Sequence, residues 1–246
     1  GAFRTVARPS FKEKSAAQIE DVLTGITFIG NLNLVNTTIN TLDLRYERFF
    51  DGGQTVALSG FYKSFQNPIE LVAYSAAAPS NFQPRNVGNA TVAGVEFEVR
   101  KNLGFIGMKN LEINSNFTGI YSSVTRDSSE FAARVASARD GEVISKTRQM
   151  QGQSPYMINA GLSYNNPNNG WQGGLFYNVQ GEKLYIVGVA DNPDVFEVPF
   201  HSLNFNLMKN FGEERQYQVG FSVNNIMDDT RDRIFVSYNS FSPYFS

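Results

Sequence analysis

Apolar and polar side chains alternate one for one along several long stretches of this chain. In the clearest example, Leu42, Leu44 and Tyr46 are separated by single charged residues. Successive side chains of an extended strand point to opposite faces, so the pattern gives one apolar and one polar face. The segments that show it are residues 1–7, 41–47, 54–62, 91–100, 111–121, 156–164, 171–179, 203–207 and 217–224.

Strict alternation of this kind is typical of a β-strand whose two faces meet different surroundings. The segments above predict about nine strands. The one helical candidate is the Ala-rich stretch of residues 128–139, which lies inside a long connection. We therefore predict an all-β chain with antiparallel strands.

The length of the predicted strands separates two kinds of all-β protein. A soluble sandwich buries the apolar face in a core, whereas a transmembrane barrel turns that face to lipid and the polar face to a lumen. Strands of roughly 10–12 residues, tilted by about 40°, span about 25–30 Å and match the apolar band of an outer membrane. Sandwich strands are nearer to about 5–6 residues. The lengths favour a transmembrane barrel.

The polar face carries too many charges for a protein core. Burying an ion costs several kcal/mol before any pairing, but a water-filled lumen removes that cost. Charged residues make up 18% of the chain and aromatic residues 13%, and a low charge content is expected where one face meets lipid. The charged residues predicted to face the lumen are Asp43, Arg45, Glu47, Glu96, Glu98, Arg100 and Glu112.

Short and long connections alternate between the predicted strands. The short ones are residues 51–53, 102–110, 165–170 and 212–216. The long ones are residues 9–38, 66–89, 125–155 and 181–199, followed by the run from Asn225. Outer-membrane barrels have short periplasmic turns and longer external loops, so we expect the long connections to lie outside the cell.

Aromatic residues cluster at both ends of the predicted strands. Rings with a polar edge favour the membrane–water interface and form girdles at both surfaces of a barrel. The alternative is cross-strand aromatic packing in a soluble sheet. The predicted girdle residues are Phe49, Phe50, Tyr164, Trp171, Phe211 and Tyr217 beside the short turns, and Tyr62, Tyr121, Tyr156 and Tyr177 toward the long loops.

Seven short motifs follow one another along the chain. They are residues 7–13 (ARPSFKE), 30–34 (GNLNL), 42–47 (LDLRYE), 60–63 with 67–70 (GFYK and NPIE), 86–90 with 94–98 (NVGNA and GVEFE), 151–156 (QGQSPY) and 224–228 (NNIMD). In this order they resemble barrel motifs of the TonB-dependent receptor family of outer-membrane active transporters. One departure is Leu32, which stands where the family usually has Pro and bears on loop conformation alone.

The resemblance implies a 22-stranded barrel, closed by an N-terminal plug that carries the TonB box. We expect residues 1–246 to be part of the C-terminal portion of such a barrel, in the outer membrane of a Gram-negative bacterium. The plug, the first half of the barrel and the last strand have no counterpart in the chain. Nine strands cannot close alone without unpaired edges in lipid. The implied partners are lipid, the plug, the remaining strands and TonB, and the seven lumen residues would meet the plug.

Other kinds of chemistry find little support in the sequence. The formal net charge of −2 argues against nucleic-acid binding, which needs a basic surface. There is no cysteine for a thiolate or a Cys-rich metal site,. The one histidine, His201, is more typical of a loop or interface, and residues 191–194 lack the EF-hand spacing,. We predict no catalytic residue, no metal and no cofactor.

Two classes of function remain open from the sequence. The first is energised uptake of a scarce solute such as a siderophore, a glycan or a peptide. The second is a receptor-like barrel that acts as a scaffold for other outer-membrane proteins, and a passive porin is a weaker third option. Loop residues expected to contact solute, a surface lipoprotein lid or a partner subunit are Tyr74, Phe82, Arg85, Arg126 and Arg139.

Overall fold

The computed structural model describes residues 1–75, 77–236 and 244–245. Its one described α-helix is α1 (Ser128–Ala136). The strands in chain order are β1 (Ala2–Ala7), β2 (Gln18–Asp21), β3 (Ile26–Ile29), β4 (Thr37–Phe50), β5 (Gln54–Gln66), β6 (Ile69–Ser75), β7 (Ala78–Asn86), β8 (Ala90–Leu103), β9 (Met108–Thr125), β10 (Thr147–Arg148), β11 (Tyr156–Asn166), β12 (Trp171–Gln180), β13 (Lys183–Ile186), β14 (Val195–Glu197), β15 (Phe200–Phe211), β16 (Tyr217–Val223), β17 (Arg233–Val236) and β18 (Tyr244–Phe245).

Nine long strands form one antiparallel sheet, which we call the wall. Its order is β1-β4-β5-β8-β9-β11-β12-β15-β16, and the short β10 pairs with β9 beside this path. Each wall strand pairs with the next one along the chain, as in an up-and-down barrel. The predictions of an all-β, antiparallel fold and of about nine strands are confirmed. Within the described residues the wall is a partial barrel that does not close.

The register carries the alternation of the sequence across the whole wall. Leu44 lies opposite Gly60, and Arg45 lies opposite Ser59, so apolar and polar rows stay on separate faces from strand to strand. Large apolar side chains are exposed on one of these faces, for example Leu44 at 78% and Val219 at 60%. A continuous exposed apolar face of this size indicates a surface that something else covers.

Short turns join the wall strands at one end. The turn after β4 is a 3₁₀ segment, Asp51–Gly53, in which Gly52 has a φ of 74° and Gly53 a φ of 75°. Side chains rarely adopt this left-handed backbone, whereas glycine does so without a steric penalty. The chain can therefore reverse within three residues.

The long connections carry structure that the sequence pattern did not predict. Strands β2, β3, β7 and β6 form one four-stranded sheet, and β13, β14, β17 and β18 form another. Helix α1 ends at Ala136, three residues before the predicted end, and Asp127 caps its first turn by accepting a hydrogen bond from the Glu130 N–H. The long connections are thus a folded loop layer.

The most buried apolar cluster of the described residues lies where the wall meets this loop layer. Its members come from wall strands and from loop strands alike, so it joins the loop layer to the ends of β8 and β9. They are Val72, Val87, Ala90, Val124, Leu184 and Val187, with Phe65, Met150, Val189 and Phe196 packed against them. Burial of apolar surface is the main stabilising term in such a cluster.

No helix in the described part of the chain is both long and apolar enough to cross a membrane.

Candidate functional site

The predicted lumen residues share one face of the wall, as the register requires. Arg45 on β4 reaches across β5 to Glu98 on β8, with an Nη2–Oε2 distance of 2.9 Å. Its Nε lies 2.5 Å from Glu47, and a second pair joins Arg100 to Glu112 at 3.1 Å. These pairs are partly exposed, so each contributes little to stability, about 0–1 kcal/mol.

Two carboxylates on this face have no partner among the described residues. Asp43 and Glu96 make no side-chain hydrogen bond or ion pair within the described part of the wall. They leave negative charge on the β4 and β8 side of the wall. A surface with basic side chains is the complementary partner for such a patch.

Toward its β16 edge, the same face of the wall is polar but uncharged. From β11 to β16, the side chains that the register places on this face include no Asp, Glu, Lys or Arg within the described strands. We call this part of the wall the amide face, because asparagine dominates it. Its polar members are Asn159, Ser163, Asn165, Gln172, Asn178, Gln180, Ser202, Asn204, Asn206, Asn210, Gln218 and Ser222.

Nine of the ten predicted girdle residues lie on the apolar face by register. They are Phe50, Tyr62, Tyr121, Tyr156, Tyr164, Trp171, Tyr177, Phe211 and Tyr217. Phe49 is the exception, because the register contradicts its predicted place in the girdle. It belongs to the uninterrupted strand Thr37–Phe50 and shares the parity of Arg45 and Glu47, so its side chain stands on the polar face.

Basic side chains accompany several of these rings near the short turns. Lys209 lies 5.0 Å from the centroid of Trp171, and Lys101 lies 4.4 Å from that of Phe50. A cation over an aromatic face is attracted by the ring quadrupole. Rings flanked by basic groups are typical of the membrane–water boundary.

The predicted loop residues fall into three separate places. Arg85 donates to the Tyr74 carbonyl at 2.7 Å and lies over its ring at 6.0 Å. Phe82 lines a cavity of about 250 Å³ with Phe28 and Tyr185. Arg126 and Arg139 line another cavity, of about 450 Å³, between α1 and the segment of residues 190–196. The structure does not bring all five residues into one site.

A buried ion network joins three long connections, and sequence reasoning missed it. Arg148 is 4% exposed and pairs with Glu70, 2% exposed, at 2.6 Å. Arg148 also contacts Glu130 at 3.0 Å, and Arg126 pairs with the same Glu130. The network continues from Arg126 to Asp194 at 3.9 Å, and Arg134 pairs with the same Asp194 at 2.5 Å. We call these six residues the loop lock.

Gln151 adds a second connection between the same three segments. Its side chain accepts from the Leu71 N–H at 2.6 Å and donates to the Leu71 carbonyl at 3.0 Å and to the Tyr185 carbonyl at 2.5 Å. Its own N–H donates to Glu70 at 2.8 Å. Gln151 and Glu70 belong to the QGQSPY and NPIE motifs, which were the one signal in the sequence that could have marked them.

Glu70 and Asp127 are among the loop carboxyls whose pKa departs from the ordinary value. Burial raises the pKa of Glu70, against the attraction of Arg148. Partial burial opposes the shift of Asp127, but hydrogen bonds from Glu130 and Ser129 hold its pKa below the usual range. The first carboxyl is therefore more basic and the second more acidic in the folded chain.

Among the residues that the structure describes, no group of three or more His, Cys, Asp and Glu side chains is placed to hold a metal ion.

Comparison with known families gives one match. A family described as TonB dependent receptor-like, beta-barrel, matches residues 2–226. No curated protein sequence matches the chain.

Solved structures with the same wall architecture include two receptors from Pseudomonas aeruginosa. A variant of the ferric enterobactin receptor PfeA has a TM-score of 0.55 and 16% identity, over 92% of this chain and 32% of that one. The siderophore receptor PirA has a TM-score of 0.55 and 15% identity, over 94% of this chain and 36% of that one. At these identities the likeness concerns the fold. The chain spans about a third of the length of these receptors.

Proposed function

The chain belongs to the TonB-dependent receptor family, and from this premise we propose that residues 1–246 form the C-terminal portion of the barrel of an outer-membrane receptor. The family match covers most of the chain, and the wall has two edge strands, β1 and β16, that need neighbours. Unpaired strand edges are not tolerated in lipid. Further strands of the same receptor would pair with these edges.

We propose that the whole receptor takes up a scarce solute across the outer membrane in an energised step. The loop layer would bind the solute outside, and TonB would pull on the plug to open the lumen. The observation that carries the proposal is the wall itself, with an exposed apolar face and a polar face that holds charges and amides. Such a wall separates lipid from a water-filled path.

The charged side of the polar face has a role in this proposal. Asp43 and Glu96 lack partners in the described wall, and the plug would supply basic groups to them. Arg45, Glu47, Glu98, Arg100 and Glu112 would form the remainder of this contact. The aromatic residues on the apolar face would anchor the wall at both membrane surfaces.

Uptake assays with the full-length receptor test the proposal. Cells that express it would be given a ferric siderophore, an oligosaccharide and an oligopeptide, each radiolabelled, in the presence and absence of TonB. We expect one class to accumulate only with TonB. If all three enter equally without TonB, the receptor is a passive pore, and if none enters, the scaffold function replaces transport.

A specific observation also favours a protein partner outside the cell. Phe11 is 99% exposed and Leu23 97% exposed, and both lie in the connection between β1 and β4. Exposed apolar side chains on a loop are typical of binding surfaces. We propose that a lipoprotein lid or another subunit of an outer-membrane complex covers them. Copurification of such a partner with the wild-type receptor, and its loss from a Phe11→Ser, Leu23→Ser variant, would support this proposal.

A further inference from the structure

Phe176, on β12, lies flat on the amide face. Its register neighbour on β11 is Gly161, and a Cβ added to Gly161 would lie 3.0 Å from the ring. A Cβ added to Gly174 would overlap the ring. Because both edges of the ring rest on glycine backbone, one ring face is turned to the lumen, and the residue is 38% exposed.

Three asparagines form a row beside this ring. Asn116, Asn159 and Asn178 lie opposite one another on β9, β11 and β12. Asn159 Nδ2 donates to Asn116 Oδ1 at 2.7 Å, and Asn178 Nδ2 donates to Asn159 Oδ1. Among the described residues, nothing bonds the Asn116 amide nitrogen or the Asn178 amide oxygen. The row thus offers a donor at one end and an acceptor at the other.

The ring and the row border one cavity that contains no charge. It has a volume of about 250 Å³, and the polar side chains that line it on this face are all asparagine amides. The nearest charged side chains by register are Glu98, opposite Asn116, and Arg100, opposite Asn114. Glu98 is paired with Arg45 and Arg100 with Glu112, so no unpaired charge borders the cavity for an ionic solute. Sites for drug-sized ligands typically have volumes of about 300–1,000 Å³, and this cavity is smaller.

We propose that Phe176 and the row Asn116, Asn159 and Asn178 form a lumen subsite for one ring of a neutral, hydroxyl-rich solute, such as a sugar unit of a glycan. The inference rests on the proposed uptake function and names its substrate class. The C–H groups on one side of a sugar ring would stack on the exposed ring face, which is electron-rich. Its hydroxyls both donate and accept, as the two ends of the row require.

A second aromatic residue in the wall provides an internal control. Phe61 on β5 lies over Gly94 of β8 in the same way, since a Cβ at Gly94 would lie 2.5 Å from its ring. The register neighbours of Phe61 are Asp43 and Gly94, and Lys63 lies 5.4 Å from its centroid, so no asparagine row accompanies this ring. If an aromatic ring over glycine serves stability alone, the two phenylalanines are equivalent. If Phe176 binds a sugar ring, they differ.

Saturation-transfer NMR on the full-length receptor in lipid nanodiscs tests the subsite. The probes are methyl β-glucopyranoside and methyl β-galactopyranoside, with glucuronate as the anionic comparison. We expect transfer to the ring C–H protons of at least one neutral glycoside and none to glucuronate. Loss of one stacking contact in Phe176→Leu should weaken glycoside binding about tenfold.

Two further variants keep the test decisive. Asn178→Leu leaves the ring in place and should weaken glycoside binding even if Phe176→Leu fails to fold. Phe61→Leu should leave binding unchanged. The proposal is overturned if no neutral glycoside shows transfer, if glucuronate binds as well, or if Phe61→Leu weakens binding as much as Phe176→Leu and Asn178→Leu do.

Failure of this inference can be distinguished from failure of the uptake proposal. TonB-dependent uptake of a ferric siderophore, without glycoside binding, would remove the subsite and leave transport intact. Glycoside binding without TonB-dependent uptake of any solute would leave the subsite and remove transport.

Discussion

Arg148 is the most buried arginine of the loop lock, so the loop layer depends on its pairing. It holds the buried Glu70 at 2.6 Å and also reaches Glu130 at 3.0 Å. Arg148 also donates a hydrogen bond to the Gln149 carbonyl. Its three partners lie in two different connections. A buried pair is weak evidence for stability by itself, but losing one partner leaves the other charge buried and alone.

Replacing Arg148 with Met tests this dependence. Met preserves most of the side-chain length but leaves Glu70 without its cation, so we expect a loss of about 3–5 kcal/mol in the free energy of unfolding of the loop layer. Hydrogen exchange of the loop strands would measure it. Lys146→Met removes the same charge from an exposed site in the same connection and should change exchange little. Equal effects of the two variants would contradict the role given to Arg148.

The raised pKa of Glu70 predicts how the loop layer responds to pH. The folded chain holds a proton on Glu70 above the ordinary carboxyl value of 4.5, so stability from the protonated form is complete below that value and is lost as pH rises through the raised pKa. Unfolding measured across this range should show stability falling with pH, and Glu70→Gln should flatten the slope. The exposed Glu20→Gln should keep it. A slope unchanged in Glu70→Gln would contradict the assignment.

Strand β8 shows at the scale of an element how the two faces differ. Val95 lies on the apolar face and is exposed, while the adjacent Glu96 lies on the polar face. An Arg at position 95 would meet lipid, and near the bilayer midplane this costs about 2–4 kcal/mol. Ser222→Arg, at an exposed position on the polar face of β16, is the matched control, with a cost near zero. Denaturant unfolding of the receptor in lipid would measure both, and equal costs would mean that Val95 does not face lipid.

The wall strands could be predicted from the sequence because their signal is local. Alternation within one segment located all nine, although it located only part of the longest ones: residues 41–47 mark a strand that runs from Thr37 to Phe50. Residues 37–40 are mostly polar and do not alternate, yet residues 38–40 pair with β5 and all four pair with β1. Pairing with an established neighbour extends a strand beyond its own pattern.

The loop strands and the loop lock could not be predicted because their signals are not local. β3 pairs in parallel with β7, and Glu70 meets a cation from a connection much farther along the chain. A four-residue strand or a single charged residue carries no sequence signal that identifies such a distant partner. Phe49 differs because two local signals conflict: its place beside a turn predicts a girdle residue, whereas parity along β4 puts it on the polar face.

The whole molecule combines a wall that leaves apolar side chains exposed with a loop layer that buries them. This distribution is the reverse of a soluble protein, in which the sheet would hold the core. The composition agrees with this distribution. Charged residues are few and aromatic residues many, as expected for a wall with lipid on one side. The chain covers about a third of the receptors that share its fold, and under the proposal above further strands of the same receptor would complete the wall.

The central claim is that short turns and long loops lie on opposite sides of an outer membrane. The chain has no cysteine, so single cysteines report this directly: Asp51→Cys in the turn after β4, where Gly52 is avoided for its left-handed backbone, and Ala77→Cys between β6 and β7. Labelling with a membrane-impermeant maleimide should reach position 77 on intact cells and position 51 only after the outer membrane is permeabilised. Labelling of both positions on intact cells, or of neither until permeabilisation, would contradict the account.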